Sequence, residues 1–538
     1  MRLSFFYYNK FNAIRSGEAK EQNMYSKIYS GMSVGISGML IKVEADISPG
    51  LPSLNMVGYL SSSVKEAGDR VRTAIRNTGF SIPVKRITIN LSPADLRKEG
   101  SLYDLPIAIA ILLAMQVIPV KINLKKSMII GELGLNGCVL PVTGVLPIVD
   151  YAKKSGFDMI FVPKENADEA GLVKGISIVS VSSLGEILTM IDGERKIEIY
   201  QRAYEEKIQR TSKNEKFDFA DIIGQKEMKE AVVIAAAGFH NILLTGEAGA
   251  GKSMIAKCIP GILPNLNYNE KLTLTKIYSV AGMFKNKCYL PDERPFREPH
   301  HSSTVNALIG GGNIPVPGEI SLSHGGILFL DEFPEFNRNV IEALRQPMED
   351  GEVMLSRVRA SYTFPAQFML VAASNLCPCG YYPDEARCRC SEKEIIDYQN
   401  RISKPVLDRI DIRTYVKRLS GTELFSGENT ISSEKAGNIV LAARERQAFR
   451  FKEENFKYNS AIPQKKIDKY IKITENEKKF LMNEFESEKL SARGYFRLLK
   501  LALTVADVNM HETITEEDLN KAMFLRRDID LRCSSLYE

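Results

Sequence analysis

Residues Asn241 to Ser253 read NILLTGEAGAGKS. The opening apolar run has the character of a strand buried on both faces, and Met254 to Ile259 continues with helical spacing. Between them, Gly246-Glu247-Ala248-Gly249-Ala250-Gly251-Lys252-Ser253 satisfies GxxxxGK[ST]. The glycines let the backbone fold around phosphates with its N–H groups facing the anion, Lys252 reaches the β- and γ-oxygens, and the Ser253 hydroxyl ligates Mg²⁺. Strand before and helix after is the context this motif requires. ATP and Mg²⁺ are the expected ligands.

Downstream, the apolar run Ile327 to Leu330 ends in Asp331 and Glu332. A buried strand that emits carboxylates at its C-terminal end delivers them to the sheet edge where a phosphate loop lies. Asp331 is expected to hold Mg²⁺ and Glu332 to orient and polarise the attacking water; an acidic helix cap is the plainer alternative. A third run, Phe368 to Ser374, ends at Asn375, either a water-positioning or γ-phosphate-sensing amide or an ordinary turn residue.

Around this centre the 538 residues divide into segments of different character. At roughly 100 to 200 residues per domain the length predicts about three domains, and 44% apolar content suffices for their cores. Residues 1–30 read as an extension without a signal-peptide pattern. Residues 31–193 alternate short strand-like runs with helical stretches, an α+β domain, and 194–216 become a charged linker. Residues 217–425 alternate buried-type strands with helices, the pattern of a parallel sheet covered on both faces, and 426–538 are almost wholly helical. The longest apolar stretch, Leu105 to Val120, is too short for a bilayer and holds Pro106, Gln116 and Pro119, so it reads as a core helix. With no membrane partner and no export signal, a cytoplasmic location is expected. Lys plus Arg at 71 against Asp plus Glu at 66 leaves a net charge of +5, which fixes no partner by itself.

The three strand ends, together with Arg409 in LDRID and Arg493 in LSARGYFR, resemble an AAA+ ATPase. The resemblance implies that Arg409 reaches the γ-phosphate bound by a neighbouring subunit, with Arg401 the competing choice, and that Arg493 of the helical lid senses the nucleotide. A surface salt bridge is the alternative for each.

More specific segments narrow the resemblance. FREPHHSST from Phe296, ALIGGG from Ala307, PGEISLSHGGI from Pro317, VRASYTFP from Val358 and the LDRID segment resemble the magnesium-chelatase-like branch, specifically the ComM/YifB family. Members resemble hexameric ATPases with an insert in helix 2. The family implies a homohexameric motor acting on single-stranded or branched DNA, with branch migration during recombination in natural transformation as its activity. It places the insert within 300–326 and a β-hairpin over 352–364. Arg357 and Arg359 near the hairpin tip are then candidate DNA contacts, or ordinary cations on a solvated hairpin. A magnesium-chelatase-like ATPase remodelling a protein partner is the alternative function.

The first domain, with KEGSLYDLP from Lys98 and GELGLNGCVLPVTG from Gly131, resembles the Lon protease domain and its ribosomal-S5-like fold. Ser101 falls where the Lon nucleophile lies, but Leu146 stands where the family has its lysine base, so no proteolysis is expected. The motor subunit of magnesium chelatase is expected to lack such a domain.

Finally, Cys377-Pro-Cys379 and Cys388-Arg-Cys390 form two close pairs eight residues apart. Four thiolates so spaced suit structural Zn²⁺, with free thiols or disulfides as alternatives. The pair His300-His301 reads as polar loop residues rather than a second metal site.

Overall fold

The computed structural model describes residues 24–202, 217–284, 290–357, 360–384, 386–418, 431–487 and 491–527. The first unit carries β1 (Tyr25–Val34), β2 (Ser37–Ser48), β3 (Ser53–Val57), β4 (Arg86–Ser92), β5 (Ser127–Ile129), the short pair β6 (Glu132–Leu133) and β7 (Val139–Leu140), then β8 (Met159–Pro163) and β9 (Ser177–Val181). Seven of these form one mixed sheet in the order β3-β4-β2-β1-β5-β8-β9. Along β2, Ile41, Val43, Ala45 and Ile47 alternate inward, the period-2 pattern of a strand with one buried face. The apolar stretch from Leu105 forms the helix Asp104–Ala114, buried over nearly its whole length against β1 and β2.

Two expected boundaries shift. β1 begins at Tyr25, inside the expected 1–30 extension, because its register with β2 runs from Val34↔Ser37 back to Tyr25↔Asp46. At the other end, the Tyr200 N–H donates to the Ile178 carbonyl at 2.7 Å and its ring packs on the first unit's apolar cluster. The start of the expected linker is therefore bound to this unit through residue 202, and 203–216 lie outside the described residues.

The second unit is built on β10 (Ile242–Gly246), β11 (Phe296–Arg297), β14 (Ile327–Leu330), β17 (Met369–Ser374) and β18 (Ile412–Val416), all parallel in the order β11-β14-β17-β10-β18. Every residue of β10, β14 and β17 is buried, as the apolar runs require. Between the phosphate loop and β14, the helices Val305–Ile309 and Glu319–Leu322 flank the paired β12 (Gly310–Gly311) and β13 (Val316–Pro317), and Arg297 grips Glu319 at 2.6 and 2.7 Å. β15 (Glu352–Arg357) and β16 (Ala360–Pro365) form the expected hairpin. This hairpin packs on the first unit: a Cβ on Gly35, held at φ 58°, would lie 2.4 Å from the Thr363 carbonyl oxygen.

The C-terminal helices Ser433–Arg450, Ala492–Val508 and Glu516–Arg526 share one apolar core with the helix Lys226–Gly238 and one face of the central sheet. A polar seam joins the same surfaces. His240 Nδ1 lies 3.1 Å from Asp411 and its Nε2 2.8 Å from the Thr504 hydroxyl, while Arg497 meets Asp411 at 2.7 Å. Among the described residues no helix is long and apolar enough to cross a membrane.

Candidate active site

The phosphate loop is shaped by where its glycines fall. At the end of β10, a Cβ on Gly246 would come within 2.4 Å of the Val416 carbonyl oxygen on β18. Gly249 at φ 78° and Gly251 at φ 92° take the left-handed conformations that turn the chain from strand into the helix Lys252–Cys258. Lys252 is 8% exposed, and its Nζ donates to the Gly246 and Glu247 carbonyls at 2.8 and 2.7 Å and to Asn375 Oδ1 at 2.9 Å. Burial lowers its pKa to about 8, against the opposing pull of Asp331 and Glu247.

The carboxylates at the end of β14 stand beside this loop. The Ser253 hydroxyl donates to Asp331 at 2.6 Å, and the other Asp331 oxygen accepts the Glu332 N–H at 2.9 Å. Glu332 itself sits at φ 49°, a left-handed conformation that costs a non-glycine residue on the order of 1 kcal/mol. Its exposed carboxylate lies 3.5 Å from His301 Nδ1. His301 was a polar loop residue on the sequence alone; the contact with Glu332 joins the insert to the strand end, and nothing in its spacing marks it for that.

Asn375, at the end of β17, joins the group through Lys252. The loop after it folds back on the phosphate loop: the Ala248 N–H donates to the Gly380 carbonyl at 2.8 Å, and Arg387 meets Glu247 at 3.0 Å. The sulfur atoms of Cys377, Cys379, Cys388 and Cys390 in this same loop all lie within 4.8 Å of one another.

The arginines form a second group. Arg409 is 6% exposed, donates to the Pro405 carbonyl at 2.8 Å, pairs with Glu349 and leaves its buried Nε without a partner among the described residues. Arg493, half exposed, reaches the other oxygen of Glu349 at 3.2 Å. Within one chain both arginines therefore meet at Glu349 and neither bonds the phosphate loop. Glu349 carries no sequence signal, lying 60 and 144 residues from its partners. Burial pushes its carboxyl up, and the adjoining Arg409 and Arg493 outweigh that to hold it below its ordinary value. Arg401, by contrast, is exposed and pairs with Glu335 at 2.8 Å. On the hairpin, Arg357 donates to the Gly312 carbonyl of the β12–β13 turn at 2.7 Å, tying insert to hairpin, whereas Arg359 lies outside the described residues. In the first unit Ser101 donates to Glu132, and Leu146 is fully buried among apolar side chains.

A family model described as "Magnesium chelatase, subunit ChlI" matches residues 218–424, "Subunit ChlI of Mg-chelatase" matches 43–166 and "Magnesium chelatase, subunit ChlI C-terminal" matches 430–526. A magnesium-chelatase description thus falls on the first unit as well. The chain is 40% identical over 504 residues to YifB of Escherichia coli, covering 93% of this chain and 97% of that protein. It is 39% identical over 507 residues to competence protein ComM of Haemophilus influenzae, covering 94% and 98%. To the magnesium-chelatase 38 kDa subunit of Cereibacter sphaeroides it is 24% identical over 262 residues, 43% of this chain and 70% of that one. With such identity over nearly the full length of the first two, the chain belongs to the ComM/YifB family of magnesium-chelatase-like AAA+ proteins.

Proposed function

We propose that the protein hydrolyses ATP as a homohexameric AAA+ motor on DNA and drives branch migration in recombination. The observation that carries the hydrolytic half is the pairing of Lys252 with Asn375 and of the adjacent Ser253 with Asp331 at the head of the phosphate loop, with Glu332 bonded to Asp331. Lys252 exchanges its loop carbonyls for phosphate oxygens of ATP. Ser253 and Asp331 present hard oxygen donors 2.6 Å apart, which suit Mg²⁺; when bound, the ion neutralises charge on the β- and γ-phosphates. Glu332 holds the attacking water and accepts its proton as the water oxygen bonds to the γ-phosphorus and the bond to the bridging oxygen breaks, leaving ADP and phosphate. Asn375 fixes Lys252 and orders the γ-phosphate side of the site. Arg409 of a neighbouring protomer supplies the cation that the developing charge requires, and Arg493 acts beside it.

The DNA half rests on the family and on Arg357, whose bond to the Gly312 carbonyl ties insert to hairpin. The relative named as a competence protein supports the same direction. The second reading, remodelling of a protein partner, is favoured by the three magnesium-chelatase models.

The test is ATPase turnover of the purified protein with and without forked or four-way DNA. Stimulation by branched DNA is expected; stimulation by a protein alone favours the second reading. Glu332→Gln is expected to lower turnover at least ~100-fold while leaving ATP affinity within about twofold. Near-normal turnover in that variant refutes the assignment of Glu332.

A further inference from the structure

The loop from Leu376 to Cys390 has little to hold it. Leu376 and Cys377 are buried at its start, but after them the one buried described residue is Gly380, so no apolar core accounts for the shape of the rest. Yet it makes two connections to the nucleotide site and directly follows a third. Ala248 N–H bonds the Gly380 carbonyl, Arg387 bridges Asp384 at 2.5 Å and Glu247 at 3.0 Å, and Asn375, two residues before Cys377, holds Lys252. The approach is close: a Cβ on Gly380 would lie 2.9 Å from that of Ala248.

The loop gathers its four thiols together. Cys377 Sγ lies 3.3 Å from Cys379 and 3.8 Å from Cys388, and Cys379 lies 3.6 Å from Cys388. A tetrahedral site with Zn–S bonds of about 2.3 Å places its sulfurs about 3.8 Å apart, whereas a disulfide requires about 2.05 Å. The Tyr382 N–H also points at Cys377 Sγ at 3.4 Å, the outer hydrogen bond usual around a ligating thiolate.

We propose that Cys377, Cys379, Cys388 and Cys390 bind one Zn²⁺, and that this centre is the outer brace of the phosphate loop, so that nucleotide affinity depends on the metal. The inference rests on the nucleotide reading of that loop. Metal binding releases the thiol protons and fixes the two Cys-X-Cys arms together. The fixed loop then presents the Gly380 carbonyl and the Arg387 guanidinium to Ala248 and Glu247.

The experiment measures metal content of the full-length chain, purified under reducing conditions, by elemental analysis, and affinity for a fluorescent ATP analogue on the same samples. The expected result is about one zinc per chain in the wild type and less than a tenth of that in Cys379→Ser/Cys388→Ser, with nucleotide affinity weakened ~10-fold. Arg387→Ala keeps all four thiols and guards against a variant that merely misfolds: it is expected to retain zinc and still lose affinity severalfold. Absence of stoichiometric zinc from the wild type overturns the proposal. So does equal nucleotide affinity in zinc-loaded and zinc-depleted protein, or unchanged affinity in Arg387→Ala. Zinc-loaded wild type that fails to bind nucleotide overturns the nucleotide reading itself, and the brace with it.

Discussion

Lys252 shows how the site's charge is set by position rather than by residue type. Its amine is buried against three oxygen acceptors, and burial holds its pKa near 8 despite Asp331 and Glu247. A polyphosphate arriving beside it favours the charged form, so binding raises this pKa and is linked to proton uptake. Affinity for ATP is therefore expected to stay level below about pH 8 and to weaken above it, by at most about tenfold per pH unit. Calorimetric titrations between pH 7 and 9.5 check this, and Lys252→Ala should remove the dependence together with most of the affinity. Before ATP is added the linkage has the opposite direction. The unfolded lysine holds its proton up to its ordinary value of 10.5, so the fold gains stability as pH rises from about 8 toward that value. At this scale much was legible in the sequence. Asp331 and Asn375 each terminate an apolar run, and strand ends of a parallel sheet share an edge. The contacts of Glu349 and His301 were not legible, because the fold creates them between segments far apart in the chain.

Among the elements, the helix Ala492–Val508 is the one whose placement decides the most. Its first turns present Arg493 to Glu349 and Arg497 to Asp411, and Arg497 also donates to the Arg409 carbonyl at 3.0 Å. Its apolar face was readable from helical periodicity; that it buries this face with Lys226–Gly238 in one core was not, since periodicity identifies a stripe and not its partner. Burial raises the cost of charge on Asp411, but Arg497 and His240 outweigh it and hold the carboxyl far below its ordinary value. Arg497→Ala leaves Asp411 4% exposed with its strongest cationic partner gone, a loss on the order of 3 kcal/mol. The expected outcomes are a lower melting temperature and faster proteolysis within the C-terminal helices. The sign with pH follows from the depressed carboxyl: this contribution is fully present above the unfolded value of about 4 and fades as pH falls below it. Thermal melts of the wild type between pH 3 and 7 should therefore lose more stability at the acid end than those of Arg497→Ala.

For the whole molecule, the separation of the two site groups is the central fact. Lys252, Asp331 and Glu332 gather at one edge of the sheet, whereas Arg409 and Arg493 meet at Glu349 with no bond to the phosphate loop of their own chain. A transition state that accumulates charge on γ-phosphate oxygens needs a cation close by, and under the proposed function a second copy's Arg409 supplies it to the first copy's loop. Mixing two inactive variants separates this from action within one chain. Arg409→Ala keeps a complete phosphate loop but offers its neighbour no guanidinium. Lys252→Ala offers the guanidinium but binds ATP poorly. If the arginine acts across the interface, random rings from equal amounts contain an intact pairing at one interface in four, and about a quarter of wild-type turnover should return if interfaces fire independently. If Arg409 serves its own chain, every site in the mixture lacks one of the two groups and turnover stays at the level of the separate variants. Substituting Arg401→Ala for Arg409→Ala in the same mixture identifies which arginine crosses the interface, because only removal of the crossing residue makes activity depend on the partner.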